Sequence, residues 1–267
     1  MCGGFQRGLG EFGFICIRRR QVLDGWGQIS DANDRVVAEN GGAFDGVFKF
    51  ADISPEALRL SRRCILDGLS VSLAGSEQHG MAPLLSYIEK VGGNAQVPIL
   101  GYGKKRVPAH FAALWLGTAG HAMDWDDTQL AEGPGRPYGL LMHPTMPPLA
   151  GALVTATFLH STTGQHVDGK KFVAAFSAGF EVGCKIAEAI NPDHYMKGFH
   201  TSGTIGTFAA AAAAANMLGL NEEQCARALG LAASMAAGVR ANFGTMTKPF
   251  QDRKSTRLNS SHTDISR

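Results

Sequence analysis

Four polar clusters interrupt a sequence that is otherwise largely apolar, and they hold the residue types that move protons and bind acids. The first, HAMDWDDT at residues 121–128, carries three carboxylates within four residues. Carboxylates this close repel one another and require cations, hydrogen-bond donors or solvent beside them. One interpretation is an exposed acidic helix end. The other is the wall of a cleft, which the neighbouring Trp125 favours.

The other three clusters each present one basic side chain in a segment rich in Gly, Pro or hydroxyl groups. His143 lies in LMHPT just before a predicted helix, and His200 lies in GFHTSGT ahead of an Ala-rich helix. Free backbone N–H groups at helix starts attract carboxylates. Lys248, in TMTKP, can bind a carboxylate or act as a base when it is desolvated. Together with the acidic cluster, these groups predict a site for a polycarboxylate, which needs cations but no metal.

The acidic cluster also allows a metal-site hypothesis, with Asp124, Asp126 and Asp127 as ligands. Carboxylate oxygens are the ligands of hard divalent cations. However, no Gly-spaced loop of the EF-hand type follows these residues. The GFHTSGT segment also lacks the lysine of a phosphate-binding loop, which argues against a nucleotide. We therefore expect neither a metal nor another cofactor.

The elements that position these clusters are predicted to be helices. Ser54, Pro55 and Glu56 form a helix start, with a hydroxyl N-cap, a proline in the first turn and an acid at the positive end of the dipole. Seven consecutive alanines at residues 209–215 and a capping box at Asn221 mark two further helices. Alternating strand patterns are nearly absent, so the fold is predicted to be all-α, a multi-helix bundle with buried central helices. The predicted helices cover residues 54–75, 81–91, 108–123, 148–160, 169–190, 204–218 and about 221–239.

The weak net charge and the cysteines exclude several classes of protein. A formal net charge of +2 over 267 residues is too small to predict binding to nucleic acid or to a membrane surface. The five cysteines are widely spaced and form no C-x-x-C pair, so neither a disulfide framework nor a zinc site is indicated. No apolar run approaches the ~20 residues of a membrane span. These features predict a cytoplasmic protein in a reducing compartment.

The two ends of the chain differ in character from its middle. Residues 1–29 and 252–267 each carry a net charge of +2, whereas residues 30–251 carry −2. The stretch from Asp252 to His262 matches, without a mismatch, the translation of a common short-read sequencing adapter. We therefore expect residues 252–267 to be a non-native tail. Residues 1–47 are expected to be an N-terminal extension or an overcalled start.

The segment HAMDWDDT resembles the H-x-(L/M)-D-(F/W)-D-D-T signature of the MmgE/PrpD family. The other blocks that resemble this family occur in the family's order: LDGLSVSLAG, GYGKKRV, HPTMPPLAG, GFHTSGTIGTFAAAAAAANMLGL and ALGLAASMAAG running into GTMTKP. The resemblance covers about residues 48–251. It implies the large all-helical domain of the family fold, truncated before the smaller α+β lid domain, which is expected to be missing here.

The resemblance also implies a set of site residues, carried over position by position. Asp124 and Thr128 match the two ends of the D-x-D-D-T element and are expected to bind the substrate. His143 matches the histidine of the H-P pair, His200 the histidine of G-F-H, and Lys248 the lysine of T-K-P. These three residues are expected to be catalytic.

The family implies cofactor-free acid–base chemistry on a di- or tricarboxylic acid, carried out by a homodimer. We predict a carbon–oxygen lyase that dehydrates a 2-methylcitrate-like hydroxy acid, with decarboxylation of the cis-aconitate type or epimerisation as alternatives. The loop at residues 129–142, which carries Arg136 and Tyr138, is longer than in the decarboxylase branch, and a difference in substrate is expected there. A hypothesis of another class is a non-catalytic truncated fragment, because a missing lid leaves half the pocket open to water.

Overall fold

The computed structural model describes residues 48–129, 139–245 and 247–251, and most of these residues lie in helices. A 3-10 helix at Phe50–Asp52 precedes the α-helices named below, a second one at Arg240–Asn242 follows them, and residues 247–251 form a last helical turn. Strands β1 (Val97–Pro98) and β2 (Arg106–Val107) form a small antiparallel sheet. The predicted all-α fold is confirmed. The α-helices are α1 (Pro55–Gly75), α2 (Met81–Val91), α3 (Ala109–His121), α4 (Met146–Thr163), α5 (Gly169–Ile190), α6 (Asp193–Met196), α7 (Thr201–Leu218) and α8 (Glu222–Met235).

Both ends of the chain lie outside the described residues. The predicted N-terminal extension at residues 1–47 and the predicted non-native tail at residues 252–267 therefore stay predictions. Within the described residues, no helix is long and apolar enough to cross a bilayer.

The helix starts predicted from capping residues are confirmed at α1 and α8. The Ser54 hydroxyl accepts a hydrogen bond from the backbone N–H of Ala57 at 3.2 Å. At α8, the Asn221 side chain accepts from the backbone N–H of Gln224, and the Gln224 side chain accepts in return from Asn221, each at 3.0 Å. Each cap satisfies donors that the first helical turn would otherwise leave unpaired.

The Ala-rich helix α7 is the centre of the bundle and packs against α4, α5 and α8. Helices α4 and α5 approach it closely because they present glycine at the points of contact. A Cβ atom at Gly151 of α4 would lie 2.5 Å from the backbone oxygen of Ala210, and one at Gly179 of α5 would lie 2.4 Å from that of Ala209. Small residues on both sides therefore set the distances between these helices.

Helices α1 and α3 form the second close contact. A Cβ atom at Gly75 would lie 1.9 Å from the backbone oxygen of Ala119. Trp115 of α3 is fully buried in the adjoining core, and its indole N–H donates to the backbone oxygen of Leu100 at 3.0 Å. These contacts hold α3 in place, and its last residue is His121.

The predicted helix at about residues 221–239 is too long, because α8 ends at Met235. The following segment is extended and pairs with the residues that precede α7. Gly238 accepts a hydrogen bond from the backbone N–H of His200 at 3.1 Å, and Arg240 donates to the backbone oxygen of Gly198 at 2.9 Å. These bonds are unavailable to a helix, and they bring the end of the described chain beside His200.

Two other helices begin earlier than predicted. Helix α4 begins at Met146 rather than at 148, with Pro147 and Pro148 in its first turn, where missing N–H groups cost nothing. Helix α7 begins at Thr201 rather than at 204. The hydroxyl-rich segment after His200 is therefore the first turn of α7 and not a loop.

Gly75→Ala is expected to lower the free energy of unfolding by about 2 kcal/mol or more, because the new methyl group meets backbone rather than a movable side chain. The matched control is Gly230→Ala on the exposed face of α8, where an added Cβ meets no atom within 4 Å. That change is expected to stabilise by about 0.5–1 kcal/mol through helix propensity. Urea denaturation of the three proteins measures both effects. Equal stabilities of the two variants would contradict the close contact of α1 with α3.

Candidate active site

The acidic segment folds back over the C-terminal end of α3. Asp124 has a φ of 56°, in the left-handed region, which Asp tolerates better than most residues. This turn returns Asp126 to the helix end, where its side chain is 1% exposed. The fully buried His121 ring meets it there, with Nδ1 at 2.8 Å and 2.9 Å from the two carboxylate oxygens.

His143 reaches the same carboxylate from the segment before α4. Its backbone N–H donates to the hydroxyl of Ser202, in the first turn of α7, at 2.9 Å. The Nδ1 atom of His143 lies 3.3 Å from Oδ2 of Asp126, and the ring meets that of His121 edge to face, with centroids 4.4 Å apart. Asp126 therefore faces the Nδ1 edges of two imidazoles.

Asp124 lies on the other side of the two rings, at the open face of the cluster. Its side chain is 58% exposed, and Oδ1 lies 3.7 Å from Nε2 of both His121 and His143. The same oxygen accepts a hydrogen bond from Nζ of Lys248 at 2.5 Å. A cation, two imidazoles and two carboxylates therefore form one connected group.

The basic neighbours keep both carboxyl groups ionised. Burial alone would raise the pKa of Asp126, but its interactions with His121 and His143 outweigh burial and hold the pKa well below its usual range. Asp124 behaves in the same way. Desolvation opposes ionisation, and the hydrogen bond from Lys248 with the two imidazoles lowers the Asp124 pKa on balance.

Asp127 points away from this group and fixes the start of α4. Its carboxylate accepts from the hydroxyl of Thr145 at 2.8 Å and from the backbone N–H of Thr145 at 3.3 Å. Burial raises the pKa of Asp127 to about 7, with the hydrogen bonds from Thr145 opposing this rise and the charge of Asp126 adding to it. The contact ties the acidic segment to the residue two positions after His143.

His200 lies beyond the ring of His121 and does not contact Asp126 through any hydrogen bond found among the described residues. It is buried at the N-cap position of α7, with its ring centroid 6.2 Å from that of His121. The ring of Phe243 meets His200 edge to face at 5.0 Å, and Nζ of Lys248 lies 5.0 Å from the centre of the same Phe243 ring. Phe243 therefore connects two of the predicted catalytic side chains.

The structure thus brings Asp124, His143 and Lys248 into contact and places His200 beside them, whereas Thr128 stands apart. Thr128 is exposed, and no hydrogen bond between its side chain and these four groups is found among the described residues. The acidic cluster combines buried and exposed residues. Asp126 is buried, so the cluster is not simply an exposed helix end, whereas Trp125 is 72% exposed, and its place in a cleft wall stays a prediction.

No role was predicted from the sequence for His121 or Phe243, and Asp126 was considered only as a metal ligand. A signal for His121 and Asp126 was present, because His121 ends an apolar helix and Asp126 follows it five residues later. A buried histidine needs a hydrogen-bond partner, and a carboxylate just past the end of its helix can supply one. Phe243 carried no signal, because it lies in the segment that was predicted to follow a longer helix.

The loop that was predicted to affect the substrate is closed at its base by hydrogen bonds. The backbone N–H of Gln129 donates to Met142, and its carbonyl accepts from Leu140 and Leu141, at 2.9–3.0 Å. The central residues of the loop, including Arg136 and Tyr138, lie outside the described residues. The base of the loop lies directly before His143, so the loop begins and ends at the site.

The cluster also offers donor atoms with the spacing of a metal site. One donor atom each from His121, Asp124, Asp126 and His143 can be chosen so that all lie within 4.8 Å of one another. This set differs from the hypothesised Asp124, Asp126 and Asp127, because Asp127 instead binds Thr145. Lys248 competes with any cation for Asp124, since its ammonium group already occupies one of the carboxylate oxygens.

Comparison with known proteins supplies the family. The model of the MmgE/PrpD N-terminal domain matches residues 46–256, which is most of the chain. The chain belongs to the MmgE/PrpD family. It is 31% identical over 196 residues to the cis-aconitate decarboxylase of Mus musculus, 29% identical over 205 residues to that of Homo sapiens, and 26% identical over 202 residues to that of Aspergillus terreus.

These matches cover 72–76% of this chain but only 38–40% of each curated relative. The chain therefore spans about two fifths of the length of the relatives that it matches. Within this MmgE/PrpD domain, the matched segment includes every side chain of the cluster described above.

Asp127→Asn is expected to make the free energy of unfolding less dependent on pH between about 4 and 7. The pKa of Asp127 is raised from 3.8 to about 7 by folding, so the folded protein retains a proton that the unfolded chain releases. The stability due to Asp127 is therefore fully present below about pH 4 and is lost as the pH rises through 7, at up to about 1.4 kcal/mol per pH unit.

Urea denaturation of the wild type and of Asp127→Asn at half-unit steps of pH measures this difference. Contributions from all other titrating groups cancel when the two proteins are subtracted at each pH. Parallel pH dependences of the two proteins would show that Asp127 is not held protonated by the fold.

Proposed function

We propose that the protein containing this helical domain is an acid–base lyase that acts on a di- or tricarboxylic acid. The observation that carries this proposal is the connected group of Lys248, Asp124 and His143, backed by the buried Asp126. It combines a cation that can bind a carboxylate with an imidazole that can exchange a proton. Chemistry beside a carboxylate needs both functions, because negative charge develops as the carbon skeleton changes.

Decarboxylation of a cis-aconitate-like acid is the reaction that we favour. The curated relatives named above are cis-aconitate decarboxylases, whereas the sequence alone suggested dehydration of a 2-methylcitrate-like hydroxy acid. In decarboxylation, the bond to one carboxyl carbon breaks and carbon dioxide leaves. The electron pair stays on the carbon skeleton, where a remaining carboxylate stabilises it, and a proton from the protein then bonds to carbon.

Dehydration, the second candidate, uses the same groups in another order. A base removes a proton from the carbon beside a carboxylate, and the hydroxyl group leaves with a proton as water. Both reactions need a proton-transfer group next to a bound carboxylate, so the cluster supports either. Incubation of the full-length protein with cis-aconitate and with 2-methylcitrate separates them, since only decarboxylation releases carbon dioxide.

Within this proposal, each predicted site residue has a defined task. His143 exchanges the proton, because its imidazole is the less buried of the two that face Asp124. Lys248 binds a substrate carboxylate, and Asp124 orients Lys248. The buried His200 polarises that carboxylate without touching it, from its place beside His121 and Phe243. Thr128 keeps the substrate-binding role predicted from the motif, which its exposed position permits.

His143→Ala is expected to lower kcat by about 10²–10⁴-fold in the full-length protein, because proton transfer loses its positioned group. Lys248→Ala is expected to raise KM and to lower kcat, since the cation binds both substrate and developing charge. The control is Lys90→Ala at the exposed end of α2, which removes a lysine far from the cluster in sequence and should leave both constants unchanged. Carbon dioxide release and product NMR measure the rates. Activity like that of the wild type in both site variants would refute the assignment.

Lyase activity is expected to survive treatment with a chelator such as EDTA, because the ammonium group of Lys248 already pairs with Asp124 and the imidazole of His121 already binds Asp126. Rates before and after exhaustive chelation, with and without added Mg²⁺ or Zn²⁺, test this expectation. Loss of activity that a divalent cation restores would instead assign the four donor atoms to a metal ion.

Three further predictions from the sequence remain part of this proposal. The protein is proposed to be a homodimer and to act in the cytoplasm. The 267-residue chain alone is proposed to have little activity, because Asp124 is open to solvent at the exposed face of the cluster. Water at this face would weaken every electrostatic contact with a bound acid.

A further inference from the structure

A buried pair, His121 and Asp126, lies directly behind His143 and has no task in the reaction proposed above. The His121 side chain is fully buried and that of Asp126 is 1% exposed, so neither can touch a substrate that enters from the open face. The short contacts of Nδ1 with both carboxylate oxygens, 2.8 Å and 2.9 Å, show that the pair is tightly joined. Burying a charged pair contributes little net stability, because desolvation offsets the attraction between the partners. Stability alone therefore does not explain why this pair is present.

The geometry decides which nitrogen of each imidazole carries hydrogen. An ionised carboxylate only accepts hydrogen bonds, so an imidazole that binds Asp126 through Nδ1 must carry its hydrogen there. This holds for His121. The buried Nδ1 atom of His143 lies 3.3 Å from Oδ2 of Asp126, outside hydrogen-bond geometry, but it faces that carboxylate, and this placement favours the same tautomer in His143. The Nε2 atom of a neutral His143 is then left with its lone pair free, on the side of Asp124.

Burial distinguishes the roles of the two imidazoles. His121 and His143 present the same edges to the same two carboxylates, and their Nε2 atoms are equally distant from Asp124. Only His143, with 13% of its side chain exposed, lies at the open face, whereas His121 is closed off at the end of α3. His121 is therefore suited to hold the carboxylate in place, and His143 to exchange a proton.

We propose that Asp126 is a positioning residue that holds His143 in the Nδ1–H tautomer, and that His121 fixes the carboxylate of Asp126 for this task. The inference rests on the proposed function, in which Nε2 of His143 transfers the proton. In other enzymes, a buried carboxylate likewise sets the tautomer and the orientation of the imidazole that acts as the base.

The first test is Asp126→Asn in the full-length protein. The asparagine keeps the size of the side chain, but its amide group can donate as well as accept, so His143 is free to adopt the other tautomer. We expect kcat to fall by about 10²–10⁴-fold while KM changes by less than about threefold. A kcat within a factor of about two of the wild type, in a protein that melts as a folded domain, would overturn the proposal.

A matched pair of variants tests His121. In His121→Asn, the side-chain amide can place an N–H where Nδ1–H lies, whereas His121→Leu has no donor. The asparagine variant is expected to retain kcat within about tenfold of the wild type, and the leucine variant to lose about 100-fold or more with little change in KM. If both variants fold and have the same kcat, His121 does not act through Asp126.

Imidazole ¹⁵N NMR of this chain provides a readout that does not depend on turnover. The His143 signals are assigned by their absence in His143→Gln, and they report which nitrogen carries hydrogen. We expect the Nδ1–H form in the wild type and a shift toward the Nε2–H form in Asp126→Asn. A predominant Nε2–H form in the wild type would overturn the positioning role even if the lyase activity is found. The expected tautomers in a protein without lyase activity would support the positioning geometry and refute only the proposed function.

Discussion

The arrangement of the site depends on one buried carboxylate, Asp126, which faces the Nδ1 atoms of two imidazoles. Taking an unpaired carboxylate out of water costs several kcal/mol, so Asp126 is tolerated only where hydrogen-bond donors meet it. His121 is held in turn by Asp126, because the two carboxylate oxygens lie 2.8 Å and 2.9 Å from its buried Nδ1 atom. His121 and Asp126 therefore hold each other in place, and Asp126 also helps to hold the ring of His143.

The helical scaffold makes this pairing possible by bringing distant segments close together. His121 ends α3, His143 precedes α4 and is held by Ser202 at the start of α7, and Lys248 arrives from the last described segment. Glycine and alanine at the helix contacts let backbones approach within distances that larger side chains forbid. The apolar core thus sets the spacing of polar groups that it does not itself contact.

The exposed side of the cluster combines a charged group with apolar surface. Asp124 is 58% exposed, and Phe199, Phe243 and Phe250 present apolar surface nearby in the chain segments around His200 and Lys248. Apolar surface beside a charged cluster excludes water from one side of a bound acid and strengthens its contacts with cations. In the chemistry proposed for this family member, the two carboxylates have different tasks. The buried Asp126 positions the imidazoles, and the exposed Asp124 lies where the substrate binds.

The helices could be predicted from the sequence, because capping residues, glycine stops and apolar periodicity act over a few residues. The motifs also predicted candidate site residues, including His143 and Lys248. The burial of Asp126 beside the exposed Asp124 could not be predicted in this way, nor could the early end of α8 that lets Gly238 pair with His200. Asp124, Asp126 and Asp127 look alike in the sequence. Their different burial and partners arise from contacts with segments that are far away in the chain, such as those of Lys248, His143 and Thr145.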